Sequence, residues 1–592
     1  MILQALNDYY RRKCDDPDPA QRLPAFGLEQ KEIPFLLEIT ADGGLHYLHD
    51  TREQQGRKLV AQNFCVPQGV KKTSGVAANL LWDNLEYVLG VDTKGKPERV
   101  VEQHAAFRSR IEALPAAVRD DTGIVAVQRF LARIDIAELQ RQPAWADALA
   151  SNAVLSFRLQ GDVDLVCQRP AVVSAALNMP TDEDARMAMC LVTGELAPVE
   201  RLHSAIKGVW GAQTSGANIV SFNARAFESY GKTERQGENA PVSRAAAFAY
   251  TTALNHLLRK DSAQRIQVGD TSTVFWSEKS SELENIFGEI FKDDPDANTR
   301  AVHALFDAVN SGRLAGPSGD TRFHVLGLAP NAARISVRFY HCLPLRELSG
   351  RILQHFNDLE LARGPNDPQY PSLFRLLAAV AVQNKADNIP PSLGGAIVDA
   401  IFAGEDALYP SLWLNAAVGR CRSEQNVNYL RAAGIKACLR RQMRHAPPSP
   451  SSPSDEQEFL PMLDLSNTSP SYRLGRLFAV LERIQEAAAG GAGKLNATIR
   501  DRYYGAASST PVAVFTTLLR LKNAHLKKLP IPQVAWFEKL LGEVLGPVSD
   551  FPKHLPLPDQ GRFALGYYHQ RQDFFTKKAD DSNDPTSEGT PV

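Results

Sequence analysis

Cysteine is scarce and scattered in this chain of 592 residues. Cys14, Cys65, Cys167, Cys190, Cys342, Cys421 and Cys438 lie far apart with no C-x-x-C pair, which argues against a zinc site and a disulfide framework and for a reducing compartment. An excess of either charge is missing too. Lys and Arg number 66 against 67 Asp and Glu, so a nucleic-acid footprint has to be local. No run approaches the ~18 apolar residues of a membrane span, and the N-terminus carries no charged segment followed by an apolar one. A cytoplasmic protein is expected. Catalytic signatures are also absent: no G-x-S-x-G, H-E-x-x-H, kinase set or dinucleotide fingerprint occurs, nor an acidic cluster like that of a two-metal nuclease. GGAGKL (490–495) resembles the end of a phosphate-binding loop. Ala488, however, stands where the leading glycine belongs and Leu495 replaces the magnesium-binding hydroxyl, so the stretch reads as an interhelical turn. His49-Asp50 resembles the HD pair of metal phosphohydrolases, but it sits at a strand end without further ligands. The expectation is a binding scaffold, not an enzyme, with no metal and no cofactor.

What is present is a long polar stretch, GVWGAQTSGANIVSFNARAFESYGKTERQGENAPVS, from Gly208 to Ser243. It sets Gln213, Thr214, Ser215, Asn218 and Asn223 among glycines and few apolar residues, then adds Arg225, Lys232 and Arg235. Glycine lets a backbone approach a ligand closely, while amides and hydroxyls are the groups that contact base edges and phosphates. A glycine-punctuated surface loop has the same composition. A second basic loop, Lys71-Lys72-Thr73-Ser74, precedes Asn79 and an apolar-periodic stretch. Two lysines with exposed amides neutralise phosphates, and they also serve as a solvated turn.

The coarse reading is α+β: a mixed α/β N-terminal body with short discontinuous strands, followed by an all-α C-terminal helix bundle. Residues 1–343 form the body, with a hairpin of IPFLLEI and LHYLHD around Asp42-Gly43-Gly44 and further strands in VLSFRLQGDVDLVCQ, MAMCLVTGE, IQVGDTSTVFW, FHVLGLAP and ISVRFYHC. Residues 344–445 are helical and end on a basic segment in which Arg440, Arg441 and Arg444 are candidates for contacting nucleic acid, although such a run also serves as a solvated helical face. APPSPSSPSD opens a Pro/Ser linker over 446–461, a helix bundle occupies 462–576, and 577–592 read as a disordered tail.

Several long strings carry a resemblance: MILQALNDYY, KKTSGVAANLLWDNLEYVLG (71–90), the run from Trp210 to Ser243 with AAFAYTTALNHLL and GDTSTVFW after it, LGLAPNAARISVRF (326–339) and PSYRLGRLFAVLERIQ (470–485). Together they resemble the large subunit of the type I-C CRISPR interference complex (Cascade), the Csd family. The resemblance implies recognition of the protospacer-adjacent motif in target double-stranded DNA, duplex opening, R-loop stabilisation and recruitment of a nuclease-helicase. The implied partners are the guide RNA (crRNA), the backbone and 5′-handle subunits and a small helical subunit. In that light Lys71, Lys72, Thr73, Ser74 and Asn79 become candidates for gripping DNA or the 5′ end of the guide. Met462, just after the linker, becomes a candidate internal start for the small subunit, whose basic helix faces with Arg500, Arg520, Lys522 and Lys527 would follow the displaced strand or the heteroduplex. Two other functions compete: a nuclease with ligands scattered beyond sequence recognition, and a protein-only helical adaptor.

Overall fold

The computed structural model describes residues 1–575 except 19–20, 57, 71–74, 178–185, 233–234, 282, 292–294, 312–313, 315, 317, 446–458 and 492. Its chain divides into two compact units. One comprises Leu6–Ser204 and Phe222–Ala253, the other Met1–Ala5, Ala205–Ser221 and everything from Leu254 on. They are called here the N-terminal and C-terminal units.

In the N-terminal unit, β1 (Phe35–Ile39), β2 (Leu45–Asp50), β3 (Trp82–Asn84) and β4 (Val154–Leu159) form a sheet in the order β2-β1-β4-β3. β1 and β4 run parallel with Leu37 opposite Phe157, and the other neighbours are antiparallel. The expected hairpin around Asp42-Gly43-Gly44 forms as β1–β2. Thr40 Oγ1 accepts the Gly44 N–H at 2.9 Å, and Gly43 takes φ +91°. A Cβ on Gly43 would stand 2.8 Å from the Phe130 nitrogen, so the turn and its neighbouring helix both require glycine. Leu37, Phe157, Phe107 and Phe130 are buried beside one another, with the Phe157 and Phe130 rings edge to face at 6.0 Å. The VLSFRLQGDVDLVCQ stretch departs from expectation. Its first half is β4, but its second half contributes one bridge, Leu165 to Arg158, and then a short 3₁₀ turn, Val166–Gln168. The Leu165 N–H is bonded by the Gln168 side chain at 2.9 Å, so a local partner takes the donor that a ladder would need.

In the C-terminal unit, β5 (Arg265–Val268), β6 (Thr271–Ser277), β7 (Arg322–Asn331) and β8 (Arg334–Pro344) form an antiparallel meander in chain order. β6 is buried along its whole length. On one face Phe275 meets Phe287 at 4.6 Å; on the other Trp276 stacks on His324 at 5.1 Å, and His324 stacks on Tyr340 at 6.0 Å. Then follow α1 (Leu345–Leu359), α2 (Ser411–Ser423), α3 (Tyr429–His445), α4 (Pro470–Ala488), α5 (Ile499–Ala507), α6 (Pro511–Leu526), α7 (Ile531–Leu545) and α8 (Leu557–Phe575). The last five form where helical periodicity placed them, and GGAGKL lies between α4 and α5. Backbones of α4 and α8 touch through glycines: a Cβ on Gly475 would be 2.0 Å from Phe563 O, and one on Gly566 would be 2.0 Å from Tyr472 O.

The compact units cut the chain elsewhere than its composition does. β8 leads directly into α1 at 344/345, and one continuous core reaches from Val268 to Tyr568. Gly561 of α8 backs onto Ile435 and Leu439 of α3, and Tyr568 Oη donates to Ala362 O at 2.7 Å. The composition change near 344 therefore marks a switch from strand to helix rather than a boundary between cores. The 446–458 part of the linker and the tail from 576 lie outside the described residues. No helix among the described residues is long and apolar enough to cross a membrane.

Candidate nucleic-acid interface

The polar stretch is divided between the units, and each half has its own anchors. In the C-terminal unit the 206–217 loop is closed at its base by reciprocal backbone bonds between Ile206 and Ala217, at 2.8 and 2.9 Å. Asn218 O then accepts the Ile335 N–H at 3.0 Å, which ties the loop's exit to the β7–β8 hairpin. Lys207 N–H bonds Asn255 Oδ1 at 2.7 Å, and Trp210 N–H bonds Ser272 Oγ on β6 at 3.0 Å. Two glycines make the path possible. Gly208 has φ +87° with its Cβ position 2.6 Å from Leu258 O, and Gly216 has φ +96° against Ile206 O at 2.9 Å. Between these ties the loop exposes Trp210 (64%), Gln213, Thr214 and Ser215. The side chains of Gln213, Thr214 and Ser215 make no hydrogen bond to other described residues. Asn218 is half-buried at the loop's foot.

In the N-terminal unit, Asn223 and Arg225 are exposed around a short 3₁₀ turn, Arg225–Phe227. Lys232 donates to Glu238 O at 2.8 Å, and Asn239 Nδ2 donates to Lys232 O at 3.3 Å, so this lysine closes a local turn. Arg235 is exposed, with Glu238 3.8 Å away.

Other expected contacts are placed differently. Lys71, Lys72, Thr73 and Ser74 lie outside the described residues. Asn79 is buried: its Oδ1 accepts the Val70 N–H at 3.0 Å, which makes it a tie within the fold rather than a group reaching for phosphate. The basic segment before the linker turns inward. Arg441 is 0% exposed, donates to Ala400 O at 2.7 Å and Ala407 O at 3.1 Å, and covers the Tyr409 ring at 3.9 Å. Arg444 takes both oxygens of buried Asp358, and Arg440 donates to Asn357 O at 3.2 Å. Burial, then nearby Arg440, bring the Lys436 ammonium down to about 8. Arg441 and Arg444 are consumed by internal acceptors, which corrects the expectation for those two, whereas Arg440 remains 28% exposed with a single carbonyl partner. In the bundle, Arg500 stands 3.8 Å from Glu482 and Lys522 pairs with Glu538 at 2.8 Å, while Arg520 and Lys527 are exposed.

A cavity of about 320 Å³ in the N-terminal unit, rimmed by Lys94, Lys96 and Arg99, escaped the reading of the sequence. Its signal there is the string DTKGKPER, in which lysines flank a glycine just before a helix-opening proline. Among the described residues no group of three or more His, Cys, Asp or Glu side chains is arranged to hold a metal ion.

No curated protein matches the chain significantly. A family of CRISPR-associated proteins does match, over residues 6–575 and so across both units, the 206–217 loop and the bundle; the chain belongs to that family, Cas_Csd1.

Proposed function

We propose that this chain is the large subunit of a type I-C RNA-guided surveillance complex, reading a short flanking motif in target duplex DNA while guide base pairing reads the rest. It promotes duplex opening, steadies the R-loop, presents a surface to a separate nuclease-helicase, and catalyses no cleavage itself. Its partners are the guide RNA, the backbone and 5′-handle subunits and a small helical subunit. The observation that carries this reading is the tied 206–217 loop, with an exposed indole beside an exposed amide and two hydroxyls. An amide such as Gln213 matches the N6/N7 edge of adenine, hydroxyls accept or donate to either partner, and an apolar ring is the wedge that unstacks a base step. Membership in a CRISPR-associated family supplies the setting.

The test uses the assembled complex and duplexes that differ only in the flanking motif. Gln213→Ala is expected to remove about 1–3 kcal/mol of discrimination between correct and incorrect motifs. Equal loss for both means that the loop positions DNA without reading it, and indifference to Gln213→Ala and Trp210→Ala together returns it to a structural role. Divalent-metal-dependent cleavage by the purified chain favours a nuclease instead; absence of any salt-dependent nucleic-acid affinity favours an adaptor.

A further inference from the structure

The cavity in the N-terminal unit combines chemistry of two kinds. Its rim is cationic: Lys94, Lys96 and Arg99 are exposed around it, at the start of the 16-residue helix Pro97–Glu112. That helix has proline at its first position, Lys96 at its N-cap and no side-chain cap, so the positive end of its dipole opens toward the rim. The rim is also ordered. Asp92 Oδ1 accepts the Lys94 N–H at 2.9 Å, and the backbone amides of Lys94 and Lys96 hold the Asp92 carboxyl below its usual range.

The floor is of opposite character. Glu86, 3% exposed, accepts Thr93 Oγ1 at 2.6 Å and faces Lys94 Nζ at 3.5 Å, and Asn84 lines the cavity beside it. Gln103 also lines the cavity at 7% exposure, and its Oε1 has no hydrogen-bond partner among the described residues. A buried amide oxygen left without a donor calls for one from a ligand or a water.

A plain phosphate suits the rim but is repelled by Glu86, whereas a cation suits Glu86 but is repelled by three positive side chains. Both ends are satisfied by one molecule with an anionic group outside and N–H donors inside. A nucleotide whose base carries an amino group has that polarity: phosphate on Lys94, Lys96 and Arg99, amino edge toward Glu86 and Gln103. The volume is at the lower end of the roughly 300–1,000 Å³ of small-ligand pockets, room for one nucleotide and not for a run of them. We propose that this cavity binds a single nucleotide by its phosphate and the amino-bearing edge of its base. Binding of a free nucleotide does not depend on the flanking-motif reading; only a strand as the nucleotide's source does.

The test titrates the full-length chain, by calorimetry, with CMP, AMP, GMP, UMP and inorganic phosphate, and with short strands bearing or lacking a 5′ phosphate. Amino-bearing monophosphates are expected to bind about tenfold more tightly than inorganic phosphate. The double substitution Lys96→Ala, Arg99→Ala, which leaves the Lys94–Glu86 pair in place, is expected to lose that binding with an unchanged melting temperature. Glu86→Gln is expected to keep phosphate-driven affinity while erasing the preference over UMP. Strand binding that requires the 5′ phosphate and competes with CMP identifies a strand end as a ligand; binding of monophosphates without strands identifies free nucleotide. Phosphate binding as well as any nucleotide, no monophosphate binding at millimolar concentration, or a double variant that binds like the parent overturns the proposal. Duplex DNA binding in the same preparations separates the two failures: lost cavity binding with intact motif discrimination sinks the cavity alone, and the reverse sinks the motif reading alone.

Discussion

Arg444 grips Asp358 with both arms, Nη1 at 2.8 Å from Oδ1 and Nη2 at 2.6 Å from Oδ2, on a carboxylate that is wholly buried. The Arg440 and Arg441 Nε atoms both stand 3.9 Å from the same carboxylate, so one anion balances a cluster of cations between α1 and α3.

Removing that anion strands the cations. Asp358→Ala is expected to destabilise the protein by about 3–5 kcal/mol in chemical denaturation, because uncompensated buried charge is costlier than the pair was favourable. Arg444→Ala is expected to lower stability and leave the salt dependence of nucleic-acid binding unchanged. A slope shallower by about one unit in that variant would return Arg444 to the phosphate contacts.

The tied loop offers a second test. Gly208→Val puts a branched side chain at φ +87° and against Leu258 O, so it is expected to release the loop from its anchors. Limited proteolysis is expected to cut between residues 208 and 216 in the variant and to spare that stretch in the parent protein, and discrimination between flanking motifs should fall. Resistance equal to that of the parent argues against the anchoring described.

Acid should loosen the C-terminal unit through three histidines. Burial lowers His355 and His569 to about 3, and burial together with nearby positive charge lowers His324 to about 4. An unfolded chain binds protons at these sites near pH 6.5, whereas the folded chain refuses them until pH 3–4. Their contribution is therefore full above pH 6.5 and is lost as pH falls below it. In the folded chain Tyr472 Oη accepts the Asp464 N–H at 3.2 Å and shares a hydrogen bond with His569 Nδ1 at 2.8 Å, in a site whose burial disfavours the charged imidazole. The melting temperature should drop between pH 6.5 and 5, and less steeply in His569→Gln. A flat profile over that range contradicts the assignment.

Met462 as an internal start leads to a test at the level of translation. Gln457 and Glu458 can be encoded as a purine run resembling a ribosome-binding site, nine nucleotides before the Met462 codon. All five helices α4–α8 follow that codon, so a product beginning there carries all of them but leaves open the face of α8 that meets α3 in the full chain. Synonymous recoding of Gln457 and Glu458 should abolish a co-purifying band near one quarter of the full mass. A band that persists undiminished rejects initiation through this site.

Local signals were readable and distant ones were not. The β1–β2 turn announces itself through Asp42-Gly43-Gly44, and α4–α8 through apolar periodicity between Gly and Pro breaks, because each depends on neighbours within a few residues. The basic segment ending at Arg444 looked like a solvated face, since its acceptors are Asp358 and carbonyls at 357, 400 and 407, which composition cannot place beside it. Trp210, Gln213, Thr214 and Ser215 were legible as a polar loop with one aromatic residue. What tied it down, the Ser272 hydroxyl and the Asn255 amide, was hidden in an ordinary strand and an ordinary helix. The Lys94–Arg99 rim went unread because its meaning comes from Glu86 and Gln103, which belong to separate helices.

The bond from Tyr568 to Ala362 spans 206 residues. At synthesis rates of about 5–20 residues per second, some 10–40 seconds separate the emergence of one partner from that of the other. Between the emergence of Ile435 and that of Gly561, about 6–25 seconds at the same rates, the apolar face of α3 that awaits α8 stays open to water and to other chains. Because α8 seals the interior, a ribosome that stalls or a chain cut short ahead of Leu557 yields a molecule with an open core rather than one missing an appendage.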